Sequence, residues 1–393
     1  MSHDPTSLMQ PESNDAVSVH APRTVGSRLP NGSAEPSHRA VLEPSDRPVP
    51  EHPNAPSPIV TGGPSAPPSP RQRSGWVRAL RSVAAWFDTW ATADALKRAH
   101  PQKRAVQRVE WIRILPFALL HLSCLTVVLV GWSPVAVGVA LGMYVLRMFA
   151  ITGFYHRYFS HKSFKSSRAF QFVMALLGAS ATQRGPLWWA SHHRRHHQNS
   201  DKPEDVHSPK QHGFWWSHVG WISTRENFPT DFGAVRDLVR YPELRFLDRF
   251  DILVPVLTGV SMFLLGVVLE AVAPSLGTTG WQMLVWGFLI STVVLAHATF
   301  TINSLSHVFG SRRYETTDTS RNNPLLALLT MGEGWHNNHH HYQASTRQGF
   351  YWWEFDLTYY GLVVLSWFGL IWDLRPVPRE VRDGRAGRGS LRS

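Results

Sequence analysis

The sequence predicts an all-α integral membrane protein: four transmembrane helices arranged as two hairpins, with a cytoplasmic helical cap carrying a histidine-rich di-metal site. Three observations predict it. Four runs of roughly twenty residues are almost free of charge, which is the length needed to cross a bilayer. Basic residues gather beside one set of their ends, and fifteen of the 21 histidines fall between residues 156 and 341.

The mean hydropathy of −0.17 argues the other way, but it averages two unlike populations. Residues 1–75 hold 15 of the 28 prolines and no periodic apolar segment, so they bury too little to offset the entropy of ordering. This stretch reads as a disordered cytoplasmic tail, without the apolar core of a secretory signal. Residues 76–110 read as a basic amphipathic segment leading into the membrane domain, 111–376. A basic tail, 377–393, closes the chain. The single cysteine, Cys124, excludes an intrachain disulfide, a cysteine-ligated zinc or an iron–sulfur cluster. The net charge of +11 points to a membrane surface and not to nucleic acid, because the basic residues flank apolar runs instead of forming one stripe.

The first span is expected at about 114–132, where no Asp, Glu, Lys or Arg occurs. The uncharged link "GWSP" leads to a second span at about 135–155, broken only by Arg147, and so short a link makes the pair a hairpin. A second pair at about 252–272 and 281–302 repeats the design. Lys97, Arg98, Lys103, Arg104, Arg108 and Arg113 precede the first span, and 156–249 is rich in Lys and Arg, so the positive-inside rule puts both links outside and both termini in the cytoplasm. Residues 170–181 and 359–372 are apolar but short, and read as interfacial or partly inserted helices with Trp367 and Trp372 as anchors.

Four histidine groups follow the spans: "HRYFSH" from His156 to His161, "HRRHH" with His193, His196 and His197, "NSLSH" with Asn303 and His307, and "HNNHH" with His336, His339 and His340. Residues i, i+3 and i+4 share a helix face, so each triplet points one way, as do Asn303 and His307. His156 and His161 are five apart, about 140° around an ideal helix, so that pair is expected to straddle a helix end. Nine imidazoles exceed what one four-coordinate zinc takes and suit two metals, with iron, zinc, copper and nickel all compatible. His121 and His297, inside spans and outside the groups, are expected to hydrogen-bond between helices. Asp201, Glu204 and Asp205 are candidates for orienting ligand imidazoles.

These boxes, with "NSLSHVFG", "GEGWHNNHH" and "GFWWSHVGW", resemble the membrane fatty-acid desaturases, in the stearoyl-CoA (Δ9) branch of bacterial type, over about residues 110–375. The resemblance implies an acyl-CoA or acyl-lipid desaturase with two iron ions held by the nine histidines, Asn303 reaching one iron through water, and O2 as co-substrate. It also implies a cis double bond formed in a long-chain saturated acyl group, and carrier contacts at Gln183, Arg184, Trp189 and Lys210. The animal acyl-CoA enzymes read Trp-Ala-Arg-Asp-His before the second box, whereas this chain reads "WASHH", leaving acyl-CoA, acyl-carrier protein and lipid all open as carriers. No fused cytochrome signature or dinucleotide fingerprint is present, so a separate electron donor such as ferredoxin or a cytochrome is expected. The small residues Gly138, Ala140 and Gly142 read either as helix packing or as room for an acyl tunnel.

Overall fold

The computed structural model describes residues 75–92 and 109–384. The Pro-rich tail, residues 93–108 of the basic segment and residues 385–393 lie outside the described residues. An amphipathic helix α1 (Gly75–Phe87) buries Ser82 and Ala85 and exposes Trp76, Leu80 and Phe87. Four apolar helices are long enough to cross a membrane: α2 (Trp111–Val130), α3 (Pro134–Ser160), and further along the chain Leu253–Val272 and Gly280–His307. No residue of α2 is buried, and Leu122, Leu125, Val128 and Leu129 face outward, as expected of a helix solvated by lipid. Gly131, at φ 67°, takes the left-handed turn that ends α2, and Ser133 caps α3 by accepting from Ala136 N at 3.0 Å.

The second span changes pitch before it ends. Pro134–Phe149 is α-helical, whereas Ala150–Ser160 winds as a π-helix, with His161 N donating to His156 O at 3.2 Å. The pair straddles the helix end as expected, His161 being the residue that follows Ser160, and the i to i+5 winding, in place of the ideal offset of about 140°, brings the two rings to 4.8 Å between centroids. The π segment packs against α4 (Arg168–Ala179), capped by Ser167, and α5 (Pro186–Asn199), opened by Pro186; Ile151, Phe154, Tyr155 and Phe159 meet Met174, Ala175, Leu187 and Ala190 in the core.

A short helix α6 (Phe214–His218) and α7 (Pro242–Arg249) precede the third span, α8 (Leu253–Val272), and the fourth, α9 (Gly280–His307). The fourth span is central. Arg147 of α3 is buried and donates to Thr292 Oγ1 at 2.6 Å, Ser291 Oγ at 2.5 Å and Met143 O at 3.1 Å, so this cation is accommodated by hydroxyls of α9 and not by snorkelling. His121 Nε2 lies 3.0 Å from His297 Nε2, and His297 Nδ1 lies 3.0 Å from His218 Nε2, so imidazoles join α2, α9 and α6. Gly138 and Gly142 serve neither expected purpose: both are exposed, and a Cβ on either would meet nothing within 4 Å.

Beyond α9 come α10 (Pro324–Leu329), α11 (His336–His341) and α12 (Leu357–Trp367). The apolar run 359–372 is not one helix. It stops at Trp367, turns at Gly369, and enters strand β2 (Ile371–Trp372), which pairs antiparallel with β1 (Lys165–Ser166).

Candidate metal centre

Each histidine box is aimed by different local physics. On α5 the i, i+3, i+4 spacing turns His193, His196 and His197 to one side of the helix, where His193 and His197 join one imidazole group and His196 the adjoining one. Helix α11 has six residues, too few to persist alone. The two asparagines inside its box supply the fastening. Asn337 Oδ1 accepts from the backbone of Arg313 and Tyr314 at 2.8 Å, while Asn338 Nδ2 donates to Glu354 Oε2 at 2.9 Å and to Gln348 O at 3.0 Å.

The Asn303–His307 box is not one continuous α-helix. Ser217 Oγ donates to Asn303 O at 2.7 Å, α-helical winding ends at Asn303, and Leu305–His307 forms a 3-10 turn with His307 N bonded to Ser304 O at 3.2 Å. His307 turns toward other imidazoles, and Asn303 lines an adjoining cavity.

The nine imidazoles converge as two groups. His156, His161, His193, His197 and His339 form one, and His196, His307, His336 and His340 the other; within each, ligand nitrogens lie within 4.8 Å of one another. Nε2 atoms face each other at 2.8 Å for His161 and His193, 3.0 Å for His156 and His339, 3.0 Å for His193 and His197, 2.9 Å for His197 and His339, and 3.1 Å for His307 and His336. The groups adjoin, with His197 and His340 ring centroids 4.5 Å apart.

The outer ring nitrogens meet acids. Asp205 Oδ2 is 3.1 Å from His196 Nδ1, Asp318 Oδ2 is 2.6 Å from His340 Nδ1, Asp201 Oδ2 is 3.6 Å from His307 Nδ1, and Glu333 contacts His156 Nδ1. An Nδ1–H donated to a carboxylate leaves Nε2 with a lone pair. Lone pairs facing one another at 3 Å repel unless a cation sits between them. Two nitrogens in adjacent positions on a metal at about 2.1 Å are themselves about 3 Å apart, so the observed spacings fit metal ligation.

Electrostatics keep six of the ligand imidazoles neutral; at His196 burial works the same way but the facing Asp205 outweighs it, so that ring is raised instead. Burial, followed by the neighbouring imidazoles, pushes His161, His193, His197, His336 and His339 well below the usual imidazole range. Burial also lowers His340 to about 4, partly opposed by Asp318. Burial alone would raise the carboxyls of Asp201, Asp205 and Asp318, yet the facing imidazoles and hydroxyls outweigh it and hold all three well below the carboxylate range.

A pH dependence follows for the metal-free protein. The folded imidazoles of His161, His193, His197, His336, His339 and His340 have lower pKa values than in the unfolded chain, so below about pH 6.5 the unfolded state binds more protons at these positions. Stability is full above that window and falls as pH drops through it, by roughly 1.4 kcal/mol per pH unit for each such histidine. Urea midpoints from about pH 8 to about pH 5 are expected to decline steeply, and a flat profile would refute neutral, buried imidazoles.

Two acidic partners were not singled out in the sequence. Glu333, three residues before His336, shares Arg157 at 3.1 Å with Asp356, which pairs at 2.9 Å; all three are buried. Its position in "GEGWH" was the available signal. Asp318 had none, because only the fold brings it to His340. Asp201 and Asp205 reach imidazoles, whereas Glu204 is exposed.

A cavity of about 50 Å3 opens beside both groups, lined by Met148, Ile151, Thr152, Trp189, Thr299, Ile302 and Asn303 together with His156, His193, His196, His336, Thr330 and Glu333. Trp189 stacks on His193, with centroids 5.0 Å apart, and Gln183 Nε2 donates to Thr299 Oγ1 at 2.8 Å. Arg184 instead lines a second cavity, ion-paired with Asp251 at 2.8 Å, and Lys210 is exposed and lines neither.

Comparison with known proteins gives the same chemistry a family. The fatty acid desaturase family model matches residues 130–363. The sn-1 stearoyl-lipid 9-desaturase of Anabaena variabilis is 35% identical over 266 residues, 67% of this chain and 93% of that protein. Delta-9 acyl-lipid desaturase 1 of Arabidopsis thaliana is 37% identical over 293 residues, 72% and 90% of the two chains. Acyl-CoA 5-desaturase AL21 of Anemone leveillei is 34% identical over 295 residues, 72% and 87%. With four apolar helices long enough to cross a membrane, two histidine groups fit for metal, and a family match over more than half its length, this chain belongs to the fatty acid desaturases, membrane oxidoreductases of fatty acyl chains.

Proposed function

We propose that the protein introduces a cis double bond at the Δ9 position of a saturated acyl chain, using two iron ions and O2. The observation that carries this reading is the adjacency of two imidazole groups, five and four strong, to a cavity walled by Met148, Ile151, Trp189 and Ile302. The five-imidazole group would hold one iron, and the four-imidazole group the other, with Asn303 at the cavity edge. When bound, iron supplies the O2-dependent removal of hydrogen from unactivated methylenes, which no side-chain base accomplishes.

The chain's own residues do the rest. The apolar wall orders methylenes against the imidazoles and excludes water from them. The carboxylates of Glu333, Asp205 and Asp318 hold the Nδ1 protons so that Nε2 stays a donor of electrons. The cavity admits only a few groups of water size, so the acyl chain's remainder has to enter by displacing side chains. In this reading the spans form two hairpins, with termini, helical cap and metal centre on the cytoplasmic side of a bacterial membrane. A ferredoxin or cytochrome supplies electrons to the basic face. Two of the relatives are named 9-desaturases, which supports that position of the bond, whereas AL21 is named a 5-desaturase; because the relatives include both acyl-lipid and acyl-CoA enzymes, the carrier is left to experiment.

Expression in a host lacking its own desaturase, followed by gas chromatography and mass spectrometry of total lipid, is expected to show a new cis-9 monoene. An oxygenated acyl chain would replace desaturation by hydroxylation. No product with the reductant supplied would defeat the reading.

A further inference from the structure

Three imidazoles outside the metal centre form a string across the spans, and its last member stands beside the turn that delivers His307. His121 of α2 and His297 of α9 lie inside spans, and His218 closes the short helix α6. His121 Nδ1 lies 2.8 Å from Phe117 O, which can only accept, so that nitrogen carries the proton. With neutral rings the remaining protons have one consistent arrangement. His121 Nε2 accepts from His297 Nε2 at 3.0 Å, His297 Nδ1 accepts from His218 Nε2 at 3.0 Å, and His218 Nδ1 accepts from the hydroxyl of Ser304 at 3.0 Å. Position 218 therefore has to donate to His297 and accept from Ser304.

Ser304 stands where α9 changes its winding. The α-helical part ends at Asn303, and the carbonyl of Asn303, which His307 N would take in a continuing α-helix, is held at 2.7 Å by the hydroxyl of Ser217, which also contacts His207 O. His307 N bonds Ser304 O at 3.2 Å instead, in a 3-10 turn. A serine hydroxyl at a helix end can also turn back on its own chain; here Phe300 O lies 3.0 Å from Ser304 Oγ but already accepts from Ser304 N at 3.2 Å.

Two adjacent, buried residues of α6 thus grip the two residues at which the α-helix stops. Helix α6 has five residues and does not persist alone, so it needs partners outside itself. His297, and through it His121, supply them. Each residue advances about 120° in a 3-10 turn and about 100° in an α-helix, so the winding of Leu305–His307 shifts the direction of His307 by roughly 60°.

We propose that His218 is a positioning residue for the four-imidazole centre. With Ser217 it ends the α-helix at Asn303 and so turns His307 toward His196, His336 and His340, while His297 and His121 fix which of its own nitrogens accepts. The effect of His218 on bound metal rests on the desaturase reading; its effect on the turn does not.

The test sets His218→Leu beside His218→Gln in purified full-length protein in detergent. An amide donates to His297 and accepts from Ser304, whereas leucine fills space and does neither. Elemental analysis gives iron per chain, and mass spectrometry of the metal-free protein gives deuterium exchange over residues 300–308. His218→Leu is expected to hold one ion fewer than the unaltered protein and to exchange this segment about tenfold faster, with both restored in His218→Gln. Unchanged metal and exchange in His218→Leu, or equal losses in the two variants, overturns the assignment. If His218→Leu does not fold, Ser217→Ala, which removes only the hydroxyl that holds Asn303 O, carries the same expectation and the same refutation. An unaltered protein that holds fewer than two ions would defeat the di-metal reading and leave the exchange comparison to decide the role of His218.

Discussion

Replacing His339 with alanine is expected to abolish acyl turnover and to lower bound metal from two ions toward one per chain. His339 is 2% exposed, and its Nε2 lies 3.0 Å from that of His156 and 2.9 Å from that of His197. Its loss leaves four imidazoles around a gap on one side of the larger group, while His196, His307, His336 and His340 are untouched. Loss of an outer partner that merely orients a ligand costs about 10- to 100-fold in affinity or activity, so removal of a ligand itself is expected to exceed about 100-fold. Elemental analysis of the purified variant, set beside its helical content by circular dichroism, separates a lost ion from a lost fold. Two ions and ordinary turnover in His339→Ala would remove this residue from the metal centre.

Gly334→Ala is expected to prevent the protein from accumulating, although Gly334 touches no metal. A Cβ there would come 2.0 Å from Ala327 N, 2.5 Å from Asn323 O and 2.6 Å from the carbonyl carbon of Leu326, all backbone atoms. The same residue's carbonyl accepts from Asn323 N at 2.8 Å, so α10 is clamped to the segment that delivers α11. Overpacking of side chains costs about 1–3 kcal/mol; a clash with backbone that cannot rotate away is expected to cost more than about 4 kcal/mol. Gly142→Ala is the matched control. Its Cβ meets nothing within 4 Å on an exposed helical face, and the substitution is expected to stabilise α3 by up to about 1 kcal/mol. Yield and thermal unfolding in detergent measure both. A Gly334→Ala protein within about 1 kcal/mol of the parent would show that α10 yields where the contacts say it cannot.

The apolar runs and the histidine spacing were readable because each depends on local chain geometry. A span needs only length and absence of charge, and the triplets on α5 and α11 need only the helical period. Where local winding changed, the reading was incomplete. The closeness of the His156 and His161 rings depended on π-helical pitch, and the end of the helix after Tyr359 on the turn at Gly369. Neither leaves a periodic trace.

By itself the sequence determined that the chain has four membrane-length apolar segments, that its histidines come in ligand-spaced sets at their ends, and that its one cysteine excludes an intrachain disulfide or an iron–sulfur cluster. Only the tertiary structure decided which imidazoles share a centre, dividing His193 and His197 from His196 on one helix. It also decided that Glu333 and Asp318 stand behind His156 and His340, and that Arg184 turns away from the small cavity toward Asp251. The physical reason is the same in each case. Ligand spacing is a property of neighbouring residues, whereas a metal centre is a meeting of nitrogens from separate helices whose register is set by packing at long range.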